Sequence, residues 1–212
     1  MGGGRRLRLA LPLLAWAGTT NAAAQASRIQ IGAEVGFASS DLTGSDVTQQ
    51  RHRRGALTGV YLAIPMAGPV SLRQELLFML KGGRATAPSL LGGTTTLDLE
   101  MGYIEMPLVA RVALPTGRVR PTVFGGAAPA VQIGCSVQPN LTGPSARTTC
   151  SDANVASLRS LDVGLVAGGG LEIRWPQSSL SVEFRYTGGR RSILRDLDIR
   201  NRTLGLALGL SF

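Results

Sequence analysis

Histidine and cysteine are almost missing from this chain: its 212 residues include one His and two Cys. These are too few for a convincing zinc cluster, which usually takes four N or S donors, and no metal or cofactor is expected. Aromatic residues make up 5% and charged residues 17%, the latter below the roughly 25% usual in soluble domains. Any interior must therefore be filled by aliphatic, glycine or polar side chains. The longest uncharged stretch, 121–146, holds Pro121, Pro129, Pro139 and Gly125-Gly126, which argues against a membrane-crossing helix. Glycine is abundant at 28 residues but lacks a collagen-like repeat, and 44% hydrophobic content argues against disorder. Bases outnumber acids 22 to 13, for a charge of +9. With no RGG run or aromatic-interleaved basic patch, nucleic acid is not an expected partner.

The first segment reads as an address. Arg5, Arg6 and Arg8 precede the apolar stretch 9–18, and Ala22-x-Ala24 or Ala24-x-Ala26 supplies a small-residue exit. That order predicts a cleaved signal peptide over 1–26 and a single domain over 27–212. The apolar core is too short for a spanning anchor, and no Cys near the exit suits a lipoprotein. Loss of three arginines lowers the charge from +9 to +6. Export to an oxidising compartment makes a Cys135–Cys150 disulfide the expected state, with free thiols or a metal site as the alternatives.

The mature chain alternates. In 203–212 the even positions Leu204, Leu206, Leu208, Leu210 and Phe212 are large and apolar, whereas the odd ones are small or weakly polar. That is the period of a strand with one greasy face. Leu180, Val182, Phe184 and Tyr186 repeat it opposite Ser181, Glu183, Arg185 and Thr187. Leu161, Val163, Leu165, Ala167, Leu171 and Ile173 oppose Asp162, Gly164, Gly168, Gly170, Glu172 and Arg174. Ile29, Ile31, Ala33, Val35 and Phe37 do the same near the start. Four further strands are placed at about 54–65, 70–82, 97–114 and 119–134. In the third of these, Leu97, Leu99 and Met101 stand in the opposite phase to Ile104, Met106 and Leu108, which predicts a bulge near Gly102 or a rim beyond the membrane.

The connections alternate too. Those at 64–69, 114–118 and 175–178 are short, whereas about 39–53, 83–96, 135–157 and 188–200 are long and polar. Eight antiparallel strands with short turns at one end and long loops at the other define an all-β, up-and-down transmembrane barrel. Closure is required, because an open edge in hydrocarbon leaves backbone donors and acceptors unsatisfied.

The stretch Gly102-Tyr103-Ile104-Glu105-Met106-Pro107-Leu108-Val109-Ala110-Arg111 resembles a motif of the small bacterial outer-membrane β-barrel domain often labelled "porin family". So does Leu72-Arg73-Gln74-Glu75-Leu76-Leu77-Phe78 with Lys81-Gly82. The terminal Phe212 on its alternating strand is similar to the signal read by the barrel assembly machinery. The resemblance covers the whole mature chain and implies a bacterial outer-membrane location. It implies nothing about transport, since fold does not fix function.

If the apolar faces meet lipid, Glu34, Glu75, Glu105, Glu172 and Glu183 point inward with Arg73, Arg111, Arg120, Arg174 and Arg185. Five acids against five bases predict a paired ion network that fills a lumen only wide enough for side chains or a small ligand. Arginines gather in the long loops; Arg53, Arg54, Arg190, Arg191 and Arg195 are expected to form a basic rim facing lipopolysaccharide phosphates. His52, near Ser45 and Asp46, supplies a base, nucleophile and acid by type alone, and no catalytic residue is assigned. The expected protein is a monomeric, non-enzymatic barrel with a structural or surface-interaction role. The alternatives are a narrow solute channel, a lipid-modifying enzyme using His52, and a soluble periplasmic ligand carrier.

Overall fold

The computed structural model describes residues 29–45, 52–88, 94–140, 148–150, 160–192 and 199–212, with backbone alone for 84–88, 94–99 and 138–140. The expected signal peptide, Asp46 and Arg195 lie outside the described residues.

Ten strand segments follow one another: β1 (Gln30–Thr43), β2 (Arg53–Pro65), β3 (Val70–Pro88), β4 (Thr94–Glu105), β5 (Leu108–Ala113), β6 (Val119–Asn140), β7 (Thr148–Thr149), β8 (Leu161–Arg174), β9 (Ser179–Gly189) and β10 (Arg200–Ser211). β4 and β5 lie end to end between β3 and β6 in unbroken register with β3, and together form one staves-width of the wall. The pairing runs β2-β1-β10-β9-β8-β6-β4-β3, and a β2–β3 ladder closes the circle. The result is a closed, antiparallel barrel of eight strands. Several strands run further than their alternation suggests; β1, β3 and β6 extend into segments expected as loop. Gly68 (φ 57°) and Gly117 (φ 105°) sit in two of the three short turns, in the left-handed region that glycine enters without strain.

The faces sort as the alternation requires. Phe37, Leu206 and Phe184 stand outward at 79%, 53% and 53% exposure, whereas Glu34, Thr203 and Glu183 face inward, buried. This apolar exterior overturns the soluble-carrier alternative, which needs a polar outside. The interior is not purely polar, however. Leu57, Leu77, Met79, Met101, Tyr103, Val109, Phe124 and Val166 are also buried, in three clusters against the inner wall. Inward glycines make room for the largest rings: a Cβ at Gly32 would lie 2.3 Å from the Tyr61 ring, and one at Gly168 would lie 2.4 Å from that of Phe124.

The expected irregularity near Gly102 is present, with its extra residue on the neighbouring strand. Gly102 pairs Gly134 and Tyr103 pairs Gln132, so Ile133 on β6 is left over. Beyond it β6 changes phase, with Ala128 and Ala130 inward before the bulge and Val137 inward after it. Met101, Tyr103 and Glu105 keep one phase on β4. The outer end of β6 forms a hairpin with β7, closed by the Cys135–Cys150 disulfide.

Two prolines inside the wall remove ladder donors. Glu75 donates to the Pro107 carbonyl (2.9 Å), and Met106 donates to the Pro129 carbonyl (2.8 Å). Neither proline has the N–H that would return the bond, so the Glu75 and Met106 carbonyls lose their usual donors. Gln74, on the outer face, supplies both: its Nε2 lies 3.1 Å from the Glu75 oxygen and 3.2 Å from that of Met106, with a third contact to Pro107 O at 3.0 Å.

Candidate functional site: the bridged lumen

The mid-lumen is built from β1, β3, β5, β8 and β9. Arg73 on β3 is 2% exposed and is surrounded by carboxylates. Its Nη1 donates to both Glu183 oxygens (2.9 and 3.0 Å), and its Nη2 donates to Glu34 (2.7 Å). Its Nε lies 3.0 Å from Glu75 Oε1, and its guanidinium stacks 3.8 Å from the Tyr61 ring centroid. Arg185 on β9 reaches back to Glu75 at 2.5 Å and lies 3.7 Å from Glu34. Arg111 on β5 binds Glu172 on β8 at 2.7 Å and lies 3.6 Å from Glu183. Phe124 lies under Arg185, 5.8 Å from its guanidinium carbon.

Strands β3 and β9 stand four places apart in either direction around the eight-strand circle. The Arg73–Glu183 and Arg185–Glu75 pairs therefore cross the full diameter. Such charges persist in a low-dielectric interior because each guanidinium fork meets several carboxylate oxygens at once.

Seven of the ten expected lumen residues (Glu34, Arg73, Glu75, Arg111, Glu172, Glu183 and Arg185) meet in this network, and Glu105 faces the same lumen in a separate pair with a residue outside the expected set. Lys81, buried on β3, pairs with Glu105; it shares the inward phase of Arg73 and Glu75, but the intervening Leu77 and Met79 disguise that phase. Arg120 and Arg174 stand outside the network. Both lie at the short-turn end, half-buried, and Arg120 donates to the Gly117 carbonyl at 3.2 Å. Their phase is inward, yet their height leaves them at the mouth, where water solvates them.

At the long-loop end the expected basic rim divides. Arg54, Arg190 and Arg191 are exposed. Arg53 pairs with Ser40 across the β1–β2 ladder on the inward face and binds Glu100 at 2.5 Å, so it is not an outward-facing cation. His52 lies 3.5 Å from Asp41, and both Asp41 oxygens accept from Arg202 at 2.9 and 2.5 Å. Among the described residues no Ser or Thr hydroxyl is hydrogen-bonded to His52. At the seam, Phe212 and Ile31 exchange backbone bonds of 2.9 and 3.2 Å, so the final residue locks the first strand to the last.

A closed cylinder, apolar outside and bridged by ion pairs within, is the architecture of membrane-spanning β-barrels. The sequence profile of the family described as "Outer membrane protein beta-barrel domain" matches residues 21–195, and the chain belongs to that family. No curated protein matches it. Among solved structures it is similar to neisserial surface protein A at 12% identity, covering 86% of this chain and 95% of that one, with a TM-score of 0.49. It is also similar to OprG from Pseudomonas aeruginosa (12% identity, 88% and 97% covered, TM-score 0.46). A third similar structure is Ail, the attachment invasion locus protein of Yersinia pestis (13% identity, 87% and 99% covered, TM-score 0.42).

Proposed function

We propose that this outer-membrane barrel is a structural, surface-interacting protein whose lumen is closed to solutes. The observation that supports it most is the pair of salt bridges joining opposite walls, reinforced by the apolar clusters around them. An eight-strand bore is narrow enough for side chains to fill. Planar-bilayer recording of the full mature chain should give no steady conductance steps at neutral pH. Stable ohmic steps would instead favour the narrow-channel alternative.

In this reading the leader over 1–26 directs export, the assembly machinery engages the strand ending in Phe212, and a monomer inserts with both termini in the periplasm. The long-loop end then faces outward, and Arg54, Arg190 and Arg191 meet lipopolysaccharide phosphates. Exposed guanidinium forks suit that geometry, and their attraction is screened by salt. Replacing Arg190 and Arg191 with Gln should weaken lipopolysaccharide association several-fold at low ionic strength and little at high. Equal binding by both proteins at low salt would leave the two arginines as mere solvation of the loop.

A further inference from the structure

Near the long-loop end of the lumen one buried carboxylate has no cationic partner among the described residues. Asp162, second in β8, is 5% exposed, and Asn201 on β10 is 2% exposed. Asn201 Nδ2 donates to Asp162 Oδ2 (3.4 Å) and to the Tyr103 hydroxyl (3.3 Å). Asp162 Oδ1 and Asn201 Oδ1 are both left buried without a hydrogen-bond donor. Gly189 backs them. A Cβ there would lie 2.9 Å from the Asn201 backbone oxygen, 3.2 Å from its nitrogen and 3.7 Å from Asp162 Oδ1, so the glycine lets the β9 backbone approach both residues closely. Lys81 lies 5.3 Å from the Tyr103 ring centroid, but it is engaged by Glu105. Leu42, Met101, Tyr103, Ala130 and Ile199 cluster at this level and make the surroundings apolar.

The charge balance points the same way. Among the described residues, six carboxylates are buried in the lumen (Glu34, Glu75, Glu105, Asp162, Glu172 and Glu183) with four cations (Arg73, Lys81, Arg111 and Arg185), and the half-buried Arg53, Arg120 and Arg174 stand nearer its mouths. Water can satisfy a lone pair but cannot cancel a charge, and an uncompensated buried carboxylate is strongly disfavoured. A cation bound at Asp162 offsets the charge that no described side chain pairs with. The donors are a carboxylate and an amide carbonyl, with no imidazole or thiolate, which selects a hard, oxygen-seeking metal.

We propose that Asp162 and Asn201 form a binding site for a hard divalent cation of the calcium type, coordinated through their free Oδ1 atoms with water completing its shell. The site stands whether or not the lumen conducts.

Terbium serves as the probe, because Tyr103 is close enough to sensitise its luminescence. Titrating the folded, detergent-solubilised chain with terbium should give tyrosine-excited emission that calcium displaces. Asp162→Asn should reduce that emission at least tenfold, and Asn201→Ala should weaken it. Thermal unfolding supplies a reading that a purely structural role would not give. Saturating calcium should raise the wild-type Tm by about 5 °C or more over chelator. Asp162→Asn should show no such rise and should be the more stable of the two in chelator, since it removes an uncompensated charge. Emission unchanged in Asp162→Asn would overturn the proposal, as would a wild-type Tm indifferent to calcium. It would also fall if Arg159→Gln or Arg195→Gln lowered the Tm without any cation dependence, which would identify a loop arginine as the partner.

Discussion

Replacing Gln74 with Leu should destabilise the barrel by about 2–6 kcal/mol, although the change makes its lipid-facing surface more apolar. Each backbone carbonyl deprived of a donor in a water-free setting costs ~1–3 kcal/mol or more, and Gln74 serves two of them. Pro107 cannot return the bond it receives from Glu75, and Pro129 cannot return the one it receives from Met106. The Gln74 amide lies within 3.2 Å of both orphaned oxygens. Restoring the missing donors should therefore rescue the variant. Pro107→Ala or Pro129→Ala in the Gln74→Leu background should each recover part of the loss, read as the urea midpoint of the barrel refolded in lipid vesicles. If neither proline change helps, the side chain is not the surrogate donor.

Replacing Arg73 with Met, close to it in length, should cost about 3–5 kcal/mol, the range for stripping one member from a buried ion cluster. Glu34, Glu75 and Glu183 all lie within 3.0 Å of its guanidinium. Among the described residues, Arg185 and Arg111 would remain to face them. Adding Glu183→Gln should restore ~1 kcal/mol or more, because the second change removes a charge left unpaired by the first. Urea titration of the single and double variants measures both effects, and strict additivity would mean that the cross-lumen pair contributes nothing to stability.

The terminal strand was the most legible part of the fold. Between Thr203 and Phe212 large and small residues alternate without interruption, and the outward and inward faces follow them residue by residue. Elsewhere the pattern blurred for a physical reason: a narrow barrel packs large apolar groups on both sides of its wall. Leu77 and Met79 on the inner face of β3 broke the contrast that would have led to Lys81. Alternation also reports the face and not the height. Arg120 and Arg174 have the phase of lumen residues but stand at the mouth, and Arg53 has the phase of the lumen although its neighbours in sequence are loop-like. The bulge left a trace at Gly102, yet its extra residue, Ile133, belongs to the strand alongside, because a register shift is a property of two strands. The role of Gln74 was hidden for a similar reason. It depends on two prolines, one on the adjacent strand and one on the strand after that.

Thiol accessibility on β10 tests the whole arrangement most directly. The native cysteines are joined to each other, so a single introduced thiol reports alone in vesicle-embedded protein. Leu206→Cys should react with a lipid-soluble maleimide and resist a water-soluble methanethiosulfonate, and Ala207→Cys, one residue on and 1% exposed, should resist both. Rapid attack by the water-soluble reagent at position 207 would reveal an open aqueous bore, and the same attack at 206 would place the apolar wall in water.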